Sequence, residues 1–148
     1  MLRRLLLTTA ASLTALGAAA PAAVAGAGPL PLPLLERTDS LTVTVAESGN
    51  PAADGTFELE CGPRSASGNH PATQRACARL EELSEQGTDP FAPVGQDRMC
   101  TQQHGGPATA HITGTWHGER IDAHFDRTNG CEISRWEALR PVLPMARS

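Results

Sequence analysis

Four cysteines, Cys61, Cys77, Cys100 and Cys131, are the residues whose type and spacing bear most directly on chemistry. No two of them form a Cys-x-x-Cys pair, so the usual spacing of a zinc site is missing. In a short chain bound for an oxidising compartment, an even number reads as two disulfides, with three possible pairings. Sequential pairing, Cys61 with Cys77 and Cys100 with Cys131, closes the smaller loops. In the chain-entropy model each closure stabilises the fold by roughly 3–4 kcal/mol. Directly after the third cysteine the chain turns polar: Thr101, Gln102, Gln103, His104, Gly105 and Gly106 cannot be core. A loop fixed at its root and exposed at its tip can pair through its backbone with the edge of a protease cleft. Its ordering cost is already met in folding. An ordinary hairpin-entry loop has the same composition.

Other chemistries lack their signatures. There is no Gly-x-Ser-x-Gly elbow, no His-Glu-x-x-His and no P-loop, and the serines, histidines and aspartates show no triad spacing. The chain therefore does not read as an enzyme, and no cofactor is expected. His111 and His124 face each other if the segments around them form a hairpin, but two ligands leave a tetrahedral metal site half empty. They are expected to be solvent-facing histidines on a polar strand face, with no metal. Glu81, Glu82 and Glu85 read as a solvated helix face. A formal charge of −4 with no lysine argues against nucleic-acid and anionic-membrane partners, which need a basic face.

The oxidising compartment follows from the N-terminus. Arg3 and Arg4 precede an uncharged apolar or small stretch from Leu5 to Ala20, and Ala23-Val24-Ala25 offers a cleavage site. Residues 1–25 thus read as a signal peptide, too short for a comfortable membrane span, and the mature chain is expected to be secreted. Losing Arg3 and Arg4 takes the formal charge from −4 to −6. Residues 26–38, rich in Gly, Pro and Leu, read as a loose arm, and residues 39–148 as one domain with a modest core that needs staples.

Within that domain, Leu41, Val43 and Val45 alternate with threonines, and Phe57, Leu59 and Cys61 alternate with glutamates, giving two strands. Gly62 to Asn69 reads as a loop. Pro71 suits the first turn of a helix whose inner face carries Ala76, Leu80 and Leu83, with Cys77 beside them and Gly87 as the stop. His117-Gly118 makes a hairpin turn that pairs Trp116 with Glu119, Thr113 with Asp122, His111 with His124 and Ala110 with Phe125. Thr128-Asn129-Gly130 reads as a turn, and Cys131, Ile133 and Arg135 as the start of a last strand. The tail after Trp136 is left unassigned. Strands dominate, so the class is α+β with an antiparallel sheet.

Cys61-Gly62-Pro63, Gly68-Asn69-His70-Pro71-Ala72 leading to Ala76-Cys77, Met99-Cys100, Gly114-Thr115-Trp116-His117-Gly118 and Asn129-Gly130-Cys131-Glu132 together resemble the subtilisin inhibitor family of filamentous actinobacteria. The resemblance covers about Leu41 to Trp136. It implies a five-stranded antiparallel sheet packed with two helices, sequential disulfides, a homodimer formed through the sheet, and substrate-like inhibition of subtilisin-type serine proteases. It places the scissile bond between Gln102 and Gln103. Met99, Cys100 and Thr101 would then fill the fourth, third and second subsites, His104 would follow on the leaving side, and Asn129 would support the loop from beneath. The sequence departs from the family pattern at Thr101, where proline is usual, and at Gln102, where methionine, lysine or arginine is common. The stretch to Trp116 is one residue longer, and Gly105-Gly106 is expected to loosen the leaving side. The alternative reading is a secreted binding scaffold with weak or no inhibition, its displayed glutamines serving as acyl donors for a transglutaminase.

Overall fold

The computed structural model describes residues 38–147. Residues 1–25, expected to be a signal peptide, and the expected arm up to residue 37 lie outside the described residues. Alternation of apolar and polar residues builds the sheet. β1 (Asp39–Ala46) is central, flanked by β2 (Gly55–Cys61) and by β4 (Thr109–Trp116). β3 (Ala66–Ser67) and β5 (Glu119–Phe125) form the edges of an antiparallel sheet ordered β3-β2-β1-β4-β5. Leu41, Val43, Leu59 and Ile112 are fully buried on one face, while Thr42, Thr44, His111, Thr113, Asp122 and His124 lie on the other. The five-stranded sheet, two helices and two disulfides are thus as the resemblance implies. Leu41, Val43 and Val45 are core, so they are not free to meet a second copy.

The β4–β5 register is the one the His117-Gly118 turn requires, with Trp116 opposite Glu119 and His111 opposite His124. Both turn residues have positive φ, 49° at His117 and 82° at Gly118, which matches the twist of a two-residue hairpin. Histidine is unusual there. Its ring stacks on Trp116 at 4.6 Å and bonds Glu81 at 3.0 Å, contacts that offset the left-handed backbone.

α1 (Thr73–Glu85) buries Ala76, Leu80 and Leu83 and is tied to the end of β2 by Cys61–Cys77. Two elements differ from the sequence reading. The expected strand from Cys131 is instead α2 (Gly130–Ala138). The alternation of Cys131, Ile133 and Arg135 is outweighed by Asn129, whose side chain caps the helix, and by Trp136 and Leu139, which face inward at helical spacing. The remaining strand is β3, inside the stretch read as a loop. Gly68 makes it possible: its φ is 114°, and a Cβ there would overlap the Glu58 carbonyl oxygen of β2. Asn69 Oδ1 then accepts the Glu58 N–H at 2.6 Å.

The tail that sequence leaves unassigned completes the core. Val142 and Leu143 are essentially inaccessible, and the Trp136 indole donates to the Pro144 carbonyl at 2.8 Å. His70 links the tail to the start of α1. Its Nδ1 accepts the Ala72 N–H at 3.1 Å, so the proton sits on Nε2, which donates to the Val142 carbonyl at 3.0 Å. Burial pushes the His70 pKa down, against the pull of the Val142 carbonyl. Charging the ring would also put a second donor against the Ala72 N–H.

Candidate functional site

The chain leaves α1, passes the turn at Gln96-Asp97 and reaches Met99, whose side chain is 98% exposed. Cys100 then drops toward α2, where the Cys100–Cys131 disulfide fixes the loop to the first turn of the helix. Just beyond, the Thr101 carbonyl accepts the Gly130 N–H at 3.0 Å. This is one of the N–H groups that a helix start leaves without an internal partner. Thr101, Gln102, Gln103 and His104 follow, all exposed. The Thr101 hydroxyl donates to Gln103 Oε1 at 3.3 Å, the one side-chain hydrogen bond within this span.

The leaving side is not loose. Gly105 is buried, its N–H donates to the Arg127 carbonyl at 2.8 Å, and its carbonyl accepts from Arg127 Nε at 2.8 Å. A Cβ on Gly105 would lie 2.9 Å from both Arg127 Nε and Ile133 Cγ1, so glycine here permits close approach and not mobility. Gly106, at φ 97°, turns the chain toward β4. The expectation that Gly105-Gly106 loosens this end fails at Gly105, whose N–H and carbonyl are both bonded to Arg127.

Arg127 organises that clamp. It is 6% exposed, lies over the Trp136 ring at 5.9 Å, and pairs through Nη1 with Glu137 Oε1 at 2.8 Å. Burial pushes the Glu137 carboxyl up, but hydrogen bonds from Arg127 and Arg140 outweigh it and hold the group below its usual range. Asn129 acts one step back from the loop. Its Oδ1 accepts the N–H groups of Cys131 at 2.9 Å and Glu132 at 3.1 Å, which starts α2 where Gly130 and Cys131 can hold Thr101 and Cys100. Gly130 is required by proximity, since a Cβ there would overlap the Thr101 hydroxyl.

The sequence-derived loop residues Met99 to His104 therefore form one stretch, exposed except at the half-buried Cys100, rooted at Cys100–Cys131 and closed at Gly105. Sequence reasoning missed Arg127, Gly130 and Glu137. Asn129-Gly130-Cys131 carried a usable signal for Gly130, because Asn-Gly before a helix suits a cap followed by a close approach. Nothing in the spacing marks Arg127.

Thr101–His104 thus form a short exposed segment, anchored at both ends on a disulfide-stapled scaffold. The subtilisin inhibitor-like family model matches residues 37–129, and this chain belongs to that family. It is 33% identical over 102 residues to subtilisin inhibitor-like protein 1 of Streptomyces cacaoi, covering 66% of this chain and 87% of that protein. It is 38% identical over 93 residues to subtilisin inhibitor-like protein 3 of Streptomyces coelicolor, covering 62% and 82%. Among solved structures it is similar to Streptomyces caespitosus sermetstatin in complex with Bacillus licheniformis subtilisin, with a TM-score of 0.41 and 22% identity, covering 67% of this chain and 91% of that one. The family is one of protease inhibitors and not of enzymes.

Proposed function

We propose that this chain is a secreted inhibitor of subtilisin-like serine proteases that binds like a substrate, with Gln102–Gln103 at the reacting bond. The observation that carries this reading is the four exposed residues Thr101–His104 held between two anchors on one helix–strand junction. In such a loop, Met99, Cys100 and Thr101 lead into the cleft on the acyl side and Gln102 enters the primary pocket. If the bond is cut, Cys100–Cys131 and the Thr101–Gly130 bond hold the new carboxyl end, and Arg127 holds the new amine end through Gly105. Both ends stay in place and religation is favoured over release. Glutamine is uncharged and of middling length, so it suits a broad apolar pocket better than one with a carboxylate at its base.

Inhibition constants against subtilisin and trypsin test this for wild type, Gln102→Lys, Gln102→Gly and, as a distant control, Arg64→Ala. Gln102→Lys should swing preference toward trypsin by supplying the charge its pocket needs. Gln102→Gly should weaken subtilisin inhibition about tenfold or more by removing the anchor side chain. Constants unchanged in both variants would move the reacting bond elsewhere. Wild type inhibiting neither enzyme would favour a binding scaffold whose exposed Gln102 and Gln103 serve a transglutaminase.

Export and pairing belong to the same proposal. N-terminal sequencing of secreted protein should find a start near Gly26, and retention of Met1 in a membrane fraction would contradict export. Two copies would meet through the outer sheet face around Thr42, Thr44, Thr113 and Thr115, since Leu41, Val43 and Val45 are taken up in the core. Sedimentation at micromolar concentration showing a single-chain species alone would contradict the dimer.

A further inference from the structure

On the outer face of the β4–β5 hairpin, away from the loop, three side chains converge in a way the protease-binding reading does not use. His111 and His124 are directly opposed across the two strands, and their rings stack at 3.9 Å with 8° between planes. Asp122, two residues before His124 on the same face of β5, lies diagonally opposite His111. Its Oδ1 is 2.7 Å from His111 Nε2 and 3.9 Å from His124 Nε2. One donor atom from each of the three residues lies within 4.8 Å of the others. In the single chain all three are at least 39% exposed at the side chain, so an ion reaches them there without opening the fold. The sequence reading counted only the two histidines. The diagonal carboxylate is the third donor, and antiparallel pairing supplies it.

We propose that His111, Asp122 and His124 form a binding site for a divalent transition-metal ion of the Cu2+ or Zn2+ type, with two imidazoles and one carboxylate as ligands. Donor chemistry selects the ion. Imidazole nitrogens favour Cu2+, Ni2+ and Zn2+, whereas Ca2+ and Mg2+ want oxygen-rich shells that two histidines cannot provide. The geometry is near what coordination needs. Ligand atoms about 2.0–2.1 Å from a tetrahedral ion lie about 3.3 Å apart. The 2.7 Å His111–Asp122 contact would open slightly and the 3.9 Å His124–Asp122 contact would close by a similar amount, both within the reach of exposed side chains. In the metal-free protein His111 Nε2 and Asp122 Oδ1 share a hydrogen bond; the ion takes the place of its proton between the same two atoms as the ring passes to the tautomer protonated at Nδ1. The remaining position of a tetrahedral shell stays open to water. The opposing feature is Arg120 on the same strand, whose charge acts on Asp122. Screening by solvent at this exposed face limits its effect. The site is complete within one chain; Thr44 and Thr113 of the face proposed for pairing adjoin His111 and Asp122, so a bound ion and sheet pairing compete.

Calorimetric titration of the untagged protein with CuCl2 and with ZnCl2 tests the site. One ion per chain is expected, with Cu2+ bound more tightly than Zn2+. His111→Gln, Asp122→Asn and His124→Gln should each weaken binding by about tenfold or more. His104→Gln and His117→Gln, which alter the other exposed histidines, should leave it unchanged. The copper spectrum should show two nitrogen ligands in wild type and one in His124→Gln. An absence of saturable binding, or binding that the three site variants leave intact, would overturn the proposal. Thermal melting of each metal-free variant, expected to match wild type at this solvated face, separates loss of ligands from loss of fold.

Discussion

Arg127→Met isolates the clamp on the leaving side of the loop. Methionine retains an apolar stem over Trp136 and removes both charge-assisted hydrogen bonds, to the Gly105 carbonyl and to Glu137. The two losses are unequal. Glu137 is 38% exposed and keeps its contact with Arg140 Nη1 at 3.1 Å, so it falls back on water and on that partner. The Gly105 carbonyl is buried with no such recourse, and an acceptor stripped of a charged donor costs about 1.5–3 kcal/mol. The Gly105 N–H bond to the Arg127 carbonyl is main-chain and survives. A net cost of about 2 kcal/mol follows, read as a fall in unfolding free energy by urea titration. Part of it falls on the loop. If the clamp holds the cut chain's amine end for religation, Arg127→Met should be hydrolysed by subtilisin at Gln102–Gln103 up to about 30-fold faster than wild type, the rate equivalent of 2 kcal/mol. Time-resolved mass spectrometry of the complex measures it. A variant that loses stability but is cleaved no faster would show that the clamp serves the fold alone.

Gly130→Ala should act from the other side. The added Cβ displaces Thr101 from the start of α2, so subtilisin inhibition should weaken by about tenfold or more while thermal melting shifts little, because alanine favours the helix. An unchanged inhibition constant would argue that the Thr101 backbone position is irrelevant. His70 gives a pH dependence. Its folded-state pKa is depressed below the ordinary 6.5, so its contribution to stability is fully present above that value and is lost as pH falls toward the folded value. Urea midpoints should therefore drop between about pH 7.5 and about pH 5, and His70→Gln should flatten that drop. A wild-type midpoint flat across the interval would contradict a buried His70 ring that resists charging. Glu137, held below its usual range, adds a separate loss only at lower pH, as its carboxyl protonates.

Residues that act through local pattern were legible in the sequence. The alternation of β1, β2, β4 and β5 and the inner face of α1 read directly. The His117-Gly118 turn set a hairpin register that placed His111 opposite His124. Where tertiary contact decides, the pattern misled. Cys131, Ile133 and Arg135 alternate like a strand, yet the Asn129 cap and the burial of Trp136 make the segment helical. β3 is two residues long and exists because Gly68 lets the chain approach Glu58, which no periodicity encodes. The exposed loop followed from polarity beside a cysteine. Its clamp did not, because Arg127 reaches Gly105 across 22 residues and carries no spacing signal. The tail with Pro141 and Pro144 likewise carries no local pattern that assigns it. Its Val142 and Leu143 are core because His70 and Trp136 bond its carbonyls.

The central claim is that Gln102–Gln103 occupies a protease cleft as a slowly cut, tightly held bond. The most direct measurement titrates active subtilisin with the purified chain and then identifies the cut in the isolated complex by mass spectrometry. Stoichiometric loss of activity and a single cleavage after Gln102 are expected, with both fragments still joined by Cys100–Cys131. Full activity at equimolar protein, or a cut at any other bond, would contradict it.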